Sequence, residues 1–467
     1  MVMPDVNANS DTIGQVVADY VVVGAGAMGM AFVDEILTHT DATVAMVERR
    51  NKPGGHWNDA YPYVRLHQPS YFYGLNSAQL GSDRIDEVGH NTGLSELASG
   101  AEVCAYFDQA MQRRYLPSGR VQFFPNTEYR DGTATVIPSG ATFELSANIA
   151  VVDATYMKVT VPSTTPPRYE VADGATVIPP NQLPTCTNPA GGYVIIGAGK
   201  TAFDAITWLL DQQVQPDSIR WVVPRDSWMI DRAITQPGDG FRLGEQPGII
   251  AEAESAEAMW LALEAAGHML RIDTDRTPEM YRCATITQRE LAELRRIDNV
   301  IRLGRVTRVG ETSIDLEHGS VDTTPDTVHV DCTADGLERR PIVPVFDGDR
   351  ITLQTVRACQ QVFSAALIGF ITSLDLTEAE KNELATVIPH PDTPADFVSG
   401  SLAHIHNVGR WSQNPAIMQW MLDARLSPTG GAPPDLGVAI AAAMKLEEWI
   451  AAGWARSAGG EGRVRVV

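Results

Sequence analysis

The chain has 467 residues, enough for two or three domains with substantial cores. Its 36 basic and 58 acidic residues leave a formal charge of −22, which argues against a nucleic-acid or anionic-membrane partner and reads as solubility. Five cysteines (Cys104, Cys186, Cys283, Cys332, Cys359) are scattered with no C-x-x-C pair, so the sequence indicates no disulfide framework, zinc knuckle or redox-active dithiol.

Residues 1–18 are polar and expected to be loosely ordered, with no basic region leading into an apolar core, hence no signal peptide. The apolar run 20–23 meets Gly24, Gly26 and Gly29 in the spacing G-x-G-x-x-G, and 30–37 continues with apolar residues at helical intervals. Gly24 permits the tight turn, Gly26 lets the backbone approach a pyrophosphate, and Gly29 lets the helix pack on the strand. The helix N-terminus favours the anion. A second strand, 44–47, ends on Glu48, placed to accept from the ribose hydroxyls. Residues 58–120 are aromatic-rich, then polar, then helical over 101–115. Strand-like stretches at 121–124, 134–137, 142–145 and 149–152 read as a β-meander. Seven prolines in 161–190 mark a crossing between domains.

A second unit follows. The strand 193–196 meets Gly197, Gly199 and Ala202 as G-x-G-x-x-A, a helix spans 203–210, and the next strand is 219–223. Arg225 stands just beyond it, where a cation meets the 2′-phosphate of NADPH, so NADP is favoured over NAD. Helices are expected at 256–270 and 288–296, and strands at 300–309, 313–316 and 328–331. A mostly helical part, with helices at 353–371, 378–387, 415–423 and 436–453, precedes ten frayed terminal residues. The apolar stretch 363–371 is far short of a membrane span. The protein is expected to be soluble and cytoplasmic. No metal site is expected, because His404 and His406 lie two apart with no third ligand at a suitable spacing. Lys200 sits in G-A-G-K-T, but the longer loop that wraps a triphosphate is missing, which excludes an ATPase. Two dinucleotide sites in one chain imply electron transfer between dinucleotides, FAD and NADPH being the usual pair.

Over most of residues 19–340 the chain resembles the flavin-containing monooxygenases and their Baeyer–Villiger and N-hydroxylating relatives. The resemblance rests on the first glycine turn with Glu48, on Gly54-Gly55-His56-Trp57 as the family's G-G-x-W, and on the second turn. It also rests on Arg225 to Arg232, which reads R-x-x-W-x-x-x-R and is similar to the family's R-x-x-x-W-x-x-x-R, and on Asp153-Ala154-Thr155-Tyr156 and Asp331-Cys332-Thr333-Ala334 as crossings. It implies an α/β fold with two Rossmann-like dinucleotide-binding domains. These are an FAD domain of residues 1–165 plus 330–467 with a helical substrate-side region, and an inserted NADPH domain of 190–330 reached by the 161–190 crossing. Gly24, Gly26, Gly29, Glu48, Gly55, Trp57 and Asp349 would hold FAD; Gly197, Gly199, Ala202, Arg225 and Arg232 would hold NADPH. Asp349 enters through Gly348-Asp349 ahead of the helix near 353, where a plain turn is the competing reading. The implied activity inserts one oxygen atom of dioxygen into a small molecule (N-, S- or Baeyer–Villiger-type oxidation) through a flavin hydroperoxide. The family's histidine between the two units is replaced by Asn181, so His67, Gln68 and Asn181 are the candidate donors near the reacting edge. An NADPH-dependent flavin oxidoreductase or oxidase without oxygen transfer is the alternative, and a nucleotide-sensing protein is a third reading.

Overall fold

The computed structural model describes residues 12–427 and 435–454. Its first sheet is built on the strand Thr12–Val23, which starts well before the apolar run seen in the sequence, within the stretch expected to be loose. That strand pairs in parallel with Val44–Glu48 on one side and Thr142–Asp153 on the other. Val121–Pro125 and Arg350–Thr352 extend the parallel sheet outward. Phe346–Asp347 closes one edge as a hairpin, and Thr127–Arg130 with Thr133–Val136 forms the meander. The two strand pieces expected at 142–145 and 149–152 are one continuous strand.

The helix Ala27–His39 crosses from the first strand to the second. Buried residues run without a break from Met28 to Leu37, because the sheet covers one side and the helix Gln361–Ser373 the other. Gly369 makes that contact possible: a Cβ there would lie 2.9 Å from the Phe32 carbonyl oxygen. Asp34 and Glu35 are consequently buried, and both are satisfied. Ser77 and Arg114 donate to Asp34; Asn76 and the Trp420 indole N–H donate to Glu35.

A second sheet carries five parallel strands in the order Val300–Ile301, Ile219–Val222, Tyr193–Ile196, Val328–Asp331, Thr176–Ile178. Both sheets therefore place the first strand of each unit beside its second and its fourth, the doubly wound order that leaves a crevice at the carboxyl ends of the strands. Thr176–Ile178 lies within the proline-rich segment, so part of that crossing is an edge strand. A third small sheet, Met269–Leu270, Ser227–Asp231 and Met280–Ile286, carries a core of Trp228, Trp260, Tyr281 and Phe397, with Trp228 and Trp260 stacked 5.2 Å apart.

The C-terminal part is helical, with two corrections. The helix expected from 353 begins at Gln361, because Leu353 still donates to the Asp153 carbonyl and continues the sheet edge. An unpredicted helix, Pro394–Ser412, is opened by a capping box between Thr393 and Asp396, with Pro394 at its first position. The frayed end expected for the last ten residues lies outside the described residues. No helix among the described residues is long and apolar enough to cross a membrane.

Candidate active site

The two glycine turns are built alike. Gly24 and Gly197 have φ of +102° and +130°, which glycine adopts freely. Gly29 cannot carry a side chain, since its Cβ would overlap the Gly24 carbonyl oxygen. Ala202, at the equivalent place in the second turn, is fully buried against its sheet. The helices that follow, Ala27–His39 and Lys200–Asp211, start at Gly26 and Gly199 with no side-chain cap. By contrast, Ser99, Ser255, Thr287, Thr377, Thr393, Asn414 and Asp435 cap seven other helices. The free N–H groups at the two glycine turns are the donors that a phosphate needs.

Each turn is locked from behind. Glu48, 4% exposed, accepts from the backbone N–H of Ala25 and of Arg50, both at 2.9 Å. The Arg50 guanidinium also reaches Oε1 at 3.5 Å, while Oε2 keeps a second lone pair for a ribose hydroxyl. The Trp221 indole donates to the Gly197 carbonyl at 2.7 Å, a lock the motif did not reveal. Gly55 sits against the first turn: a Cβ on it would stand 2.9 Å from the Gly26 Cα. The following His56 and Trp57 stack at 5.3 Å, and Trp57 donates to the Tyr73 hydroxyl at 2.7 Å.

Between the sheets lies a cavity of 2360 Å³. Its wall includes His56, Trp57, His67 and Gln68, the second turn from Gly197 to Thr201, and residues 357–362 leading into the helix Gln361–Ser373. Five imidazoles line it; His406 is exposed and the other four are covered more closely. Burial, reinforced by Arg50, lowers His56 to about 4. Burial with Lys200 and Arg232 lowers His67 to about 3; burial with Arg282 lowers His390 to about 4; burial with Arg357 lowers His404 to about 3. All four are neutral at pH 7. The Nδ1 atoms of His67, His390 and His404 are sealed from solvent with no partner among the described residues. Buried polar atoms are normally satisfied, so orphans gathered on one cavity wall point to a ligand that supplies the missing bonds.

Beside the second turn an ion-pair cluster of the second unit meets a tyrosine pair of the first. Lys200 pairs with Asp204 and, at 3.4 Å, with Glu290. Tyr61 donates to Asp204 at 2.6 Å, and Tyr63 stacks on Trp208. Burial raises the carboxyl of Glu290, but Lys200 and Arg232 outweigh it and hold the group at about 2.

The structure corrects four site expectations. Arg232 is 1% exposed and fully engaged by His67, Asn91, Thr285 and Glu290, so it is a clamp between units and is closed to a nucleotide. Arg225 forms a two-pronged pair with Asp392 at 2.8 and 2.9 Å, which occupies the fork expected to meet a 2′-phosphate. Asn181 donates to the Asp59 carbonyl at 3.0 Å and does not line the cavity, because the short helix Pro180–Thr185 turns it toward the chain crossing. Asp349 is exposed on the hairpin turn beside Gly348, away from the cavity, as the plain turn reading has it. Two features went unseen in the sequence. Cys283 and Cys359 form a disulfide with Cα atoms 6.5 Å apart, joining Met280–Ile286 to the segment before Gln361–Ser373, and His390 lies beside the pair. His404, set aside in the sequence as a metal ligand, is on the helix Pro394–Ser412 and on the cavity wall.

One glycine separates ligand binding from folding. A Cβ on Gly199 would meet nothing within 4 Å, and its φ of −102° suits any residue. Gly199→Val is therefore expected to leave stability within about 0.5 kcal/mol. The same change is expected to weaken NADPH binding about tenfold or more, because the side chain occupies the path of the pyrophosphate. Thermal unfolding and NADPH titration on one sample check both halves.

No family model matches the chain. Over 416 residues it is 48% identical to uncharacterised proteins of Mycobacterium tuberculosis and Mycobacterium bovis, spanning 88% of this chain and 77% of theirs. Among solved structures it is similar to the open form of cyclohexanone monooxygenase (16% identity, 79% of this chain and 92% of that one, TM-score 0.48). It is also similar to oxidised steroid monooxygenase bound to NADP (16%, 94% and 98%, TM-score 0.46) and to OTEMO in complex with FAD and NADP (15%, 76% and 84%, TM-score 0.47).

Proposed function

The chain belongs to one family with those mycobacterial proteins, and from its own residues we propose that it is an NADPH-dependent FAD monooxygenase acting on a small molecule. One observation carries the reading: two parallel sheets each present an uncapped, glycine-started helix, and a single cavity lined by neutral imidazoles lies between them. Both turns fit a dinucleotide. The first, with Glu48, Gly55 and Trp57, would hold FAD; the second, with Gly197, Gly199 and Ala202, would hold NADPH. When bound, the two cofactors supply hydride transfer and the activation of dioxygen.

The chain's residues then have distinct tasks. The free N–H groups at Ala27 and Lys200 receive phosphates. Glu48 accepts from a ribose. Lys200, fixed by Asp204 and Glu290, keeps positive charge at the start of the second helix. His67, with Gln68 beside it on the wall, offers a neutral ring whose Nδ1 has no partner among the described residues, able to donate or accept at the reacting centre according to its tautomer. The Tyr61, Tyr63 and Trp208 stack walls water from one side. Preference for NADPH over NADH would come from the smaller recess of 560 Å³ beyond Ile219–Val222, where the more exposed Arg276 and Arg305 stand beside the Arg225–Asp392 pair.

Asn181 lies outside the cavity, which favours a second reading: an NADPH-dependent flavin oxidoreductase or oxidase that transfers no oxygen. Anaerobic NADPH is expected to bleach a yellow holoprotein. Dioxygen is then admitted with ketones, amines and sulfides in turn. Peroxide well below one per NADPH, with matching oxygenated product, supports the monooxygenase. Stoichiometric peroxide with every compound selects the oxidase, and absence of bleaching overturns both.

A further inference from the structure

Resting on the reading that the cavity takes a small organic substrate, we propose that Arg357 anchors a carboxylate carried by that substrate. Arg357 lies between Arg350–Thr352 and Gln361–Ser373, is 6% exposed and lines the cavity. Its guanidinium carbon stands 4.5 Å over the Phe363 ring. No described residue gives its side chain a hydrogen bond or an ion pair, and Nη1 is sealed without a partner.

The other cations of the same wall are handled differently. Arg225 and Arg282 share Asp392, Arg339 reaches Asp396, and Lys200 has Asp204 and Glu290. Among the described residues no carboxylate forms an ion pair with Arg357. A buried charge without a counter-charge is costly and is retained where something else supplies the opposite sign. Burial lowers the group only to about 10, so it stays a cation at neutral pH.

The surroundings suit a planar anion. The helix Gln361–Ser373 starts a few residues on with no side-chain cap, so its positive end adds to the same field. The His404 ring, whose Nδ1 has no partner, is neutral and within electrostatic reach of Arg357. A guanidinium fork matches a carboxylate with two parallel bonds, and the Phe363 face holds its plane. The same donors would serve an acceptor on a bound cofactor, so the test separates the two sources.

The holoprotein is titrated calorimetrically with acetate, hexanoate and benzoate, and with acetamide, hexanamide and benzamide. Wild type is expected to bind at least one carboxylate about tenfold more tightly than its amide. Arg357→Met should reduce that preference to within about twofold, Arg357→Gln should do the same, and Arg357→Lys should keep part of it. Arg357→Met should melt no lower than wild type, since it removes an unpaired buried charge. Equal binding of acids and amides by wild type, or no binding of either, overturns the proposal, as does a preference that survives in Arg357→Met. A variant that loses flavin but keeps the preference reassigns Arg357 to the cofactor and overturns it too. The titration needs no turnover, so failure to bleach with NADPH strikes the proposed activity and leaves the anion site separately scored.

Discussion

Lowering the pH from 7 to 5 is expected to destabilise the folded chain steeply, by up to about 5 kcal/mol per pH unit near pH 5. The cause is the group of four imidazoles around the cavity. In the unfolded chain each titrates near 6.5; in the folded chain burial, helped by neighbouring arginines and Lys200, holds His56 and His390 near 4 and His67 and His404 near 3. Between about pH 6.5 and 4 the unfolded state therefore binds more protons, close to four more near pH 5, so stability rises with pH through that window. It is fully present above 6.5 and is lost as the pH falls toward the folded values. His268 and His329 are shifted downward as well, first by burial, and add in the same direction. Asp331, raised by burial, opposes them. The four rings border a cavity that admits water, so about four protons is the ceiling, and a ligand that fills the cavity brings the chain closer to it. Urea unfolding at pH 7, 6 and 5, with proton uptake measured on unfolding, checks this. Uptake below one proton per chain at pH 5 would mean that the imidazoles are not shielded.

The parts of the molecule that were legible in the sequence are those whose physics is local. The strand Tyr193–Ile196 and the two glycine turns fall within a few residues of their own signals, because a tight turn, a close pyrophosphate approach and a helix start are specified by neighbours. Glu48 is legible for the same reason: the second strand ends on it, and the fold returns it to the N–H of Ala25.

What was illegible depends on distant partners. The stretch from Arg225 to Arg232 shows two arginines seven positions apart, but not that Asp392 takes the first and His67, Asn91 and Glu290 the second. Cys283 and Cys359 are 76 residues apart and meet only because Met280–Ile286 packs beside the segment leading to Gln361–Ser373. The helix Pro394–Ser412 contains Gly400, Gly409, Asn407 and two histidines, a composition of weak helix propensity. Its signal was the Thr393-Pro394-x-Asp396 start, and Asn407 shows why it persists: its side-chain amide donates to the carbonyls of Val356 and Thr386, replacing propensity with tertiary bonds. The cavity itself leaves no local mark, since its wall is assembled from segments between His56 and Glu447.

Arg232→Met is expected to destabilise the protein by about 3–5 kcal/mol, the effect of removing one partner from a buried ion pair. Glu290, 8% exposed, would keep Lys200 as a cation and the Thr287 N–H as a donor but lose the closer of its two cations, and the carbonyls of His67 and Thr285 would lose their donors. His67 and Asn91 belong to the first unit while Thr285 and Glu290 belong to the second, so the loss falls on the joint that shapes the cavity. Arg232→Lys keeps the charge but not the fork, and should recover only part of the stability. The double variant Arg232→Met with Glu290→Gln should cost less than the two single changes added, because neither then leaves a charge stranded. The result also decides between two roles for the motif's last arginine. If Arg232 held the nucleotide, Arg232→Met would raise the apparent Michaelis constant for NADPH and leave the melting temperature in place. The clamp seen here requires the reverse order: a large fall in thermal stability, with NADPH affinity in the surviving folded protein changed much less than by Gly199→Val.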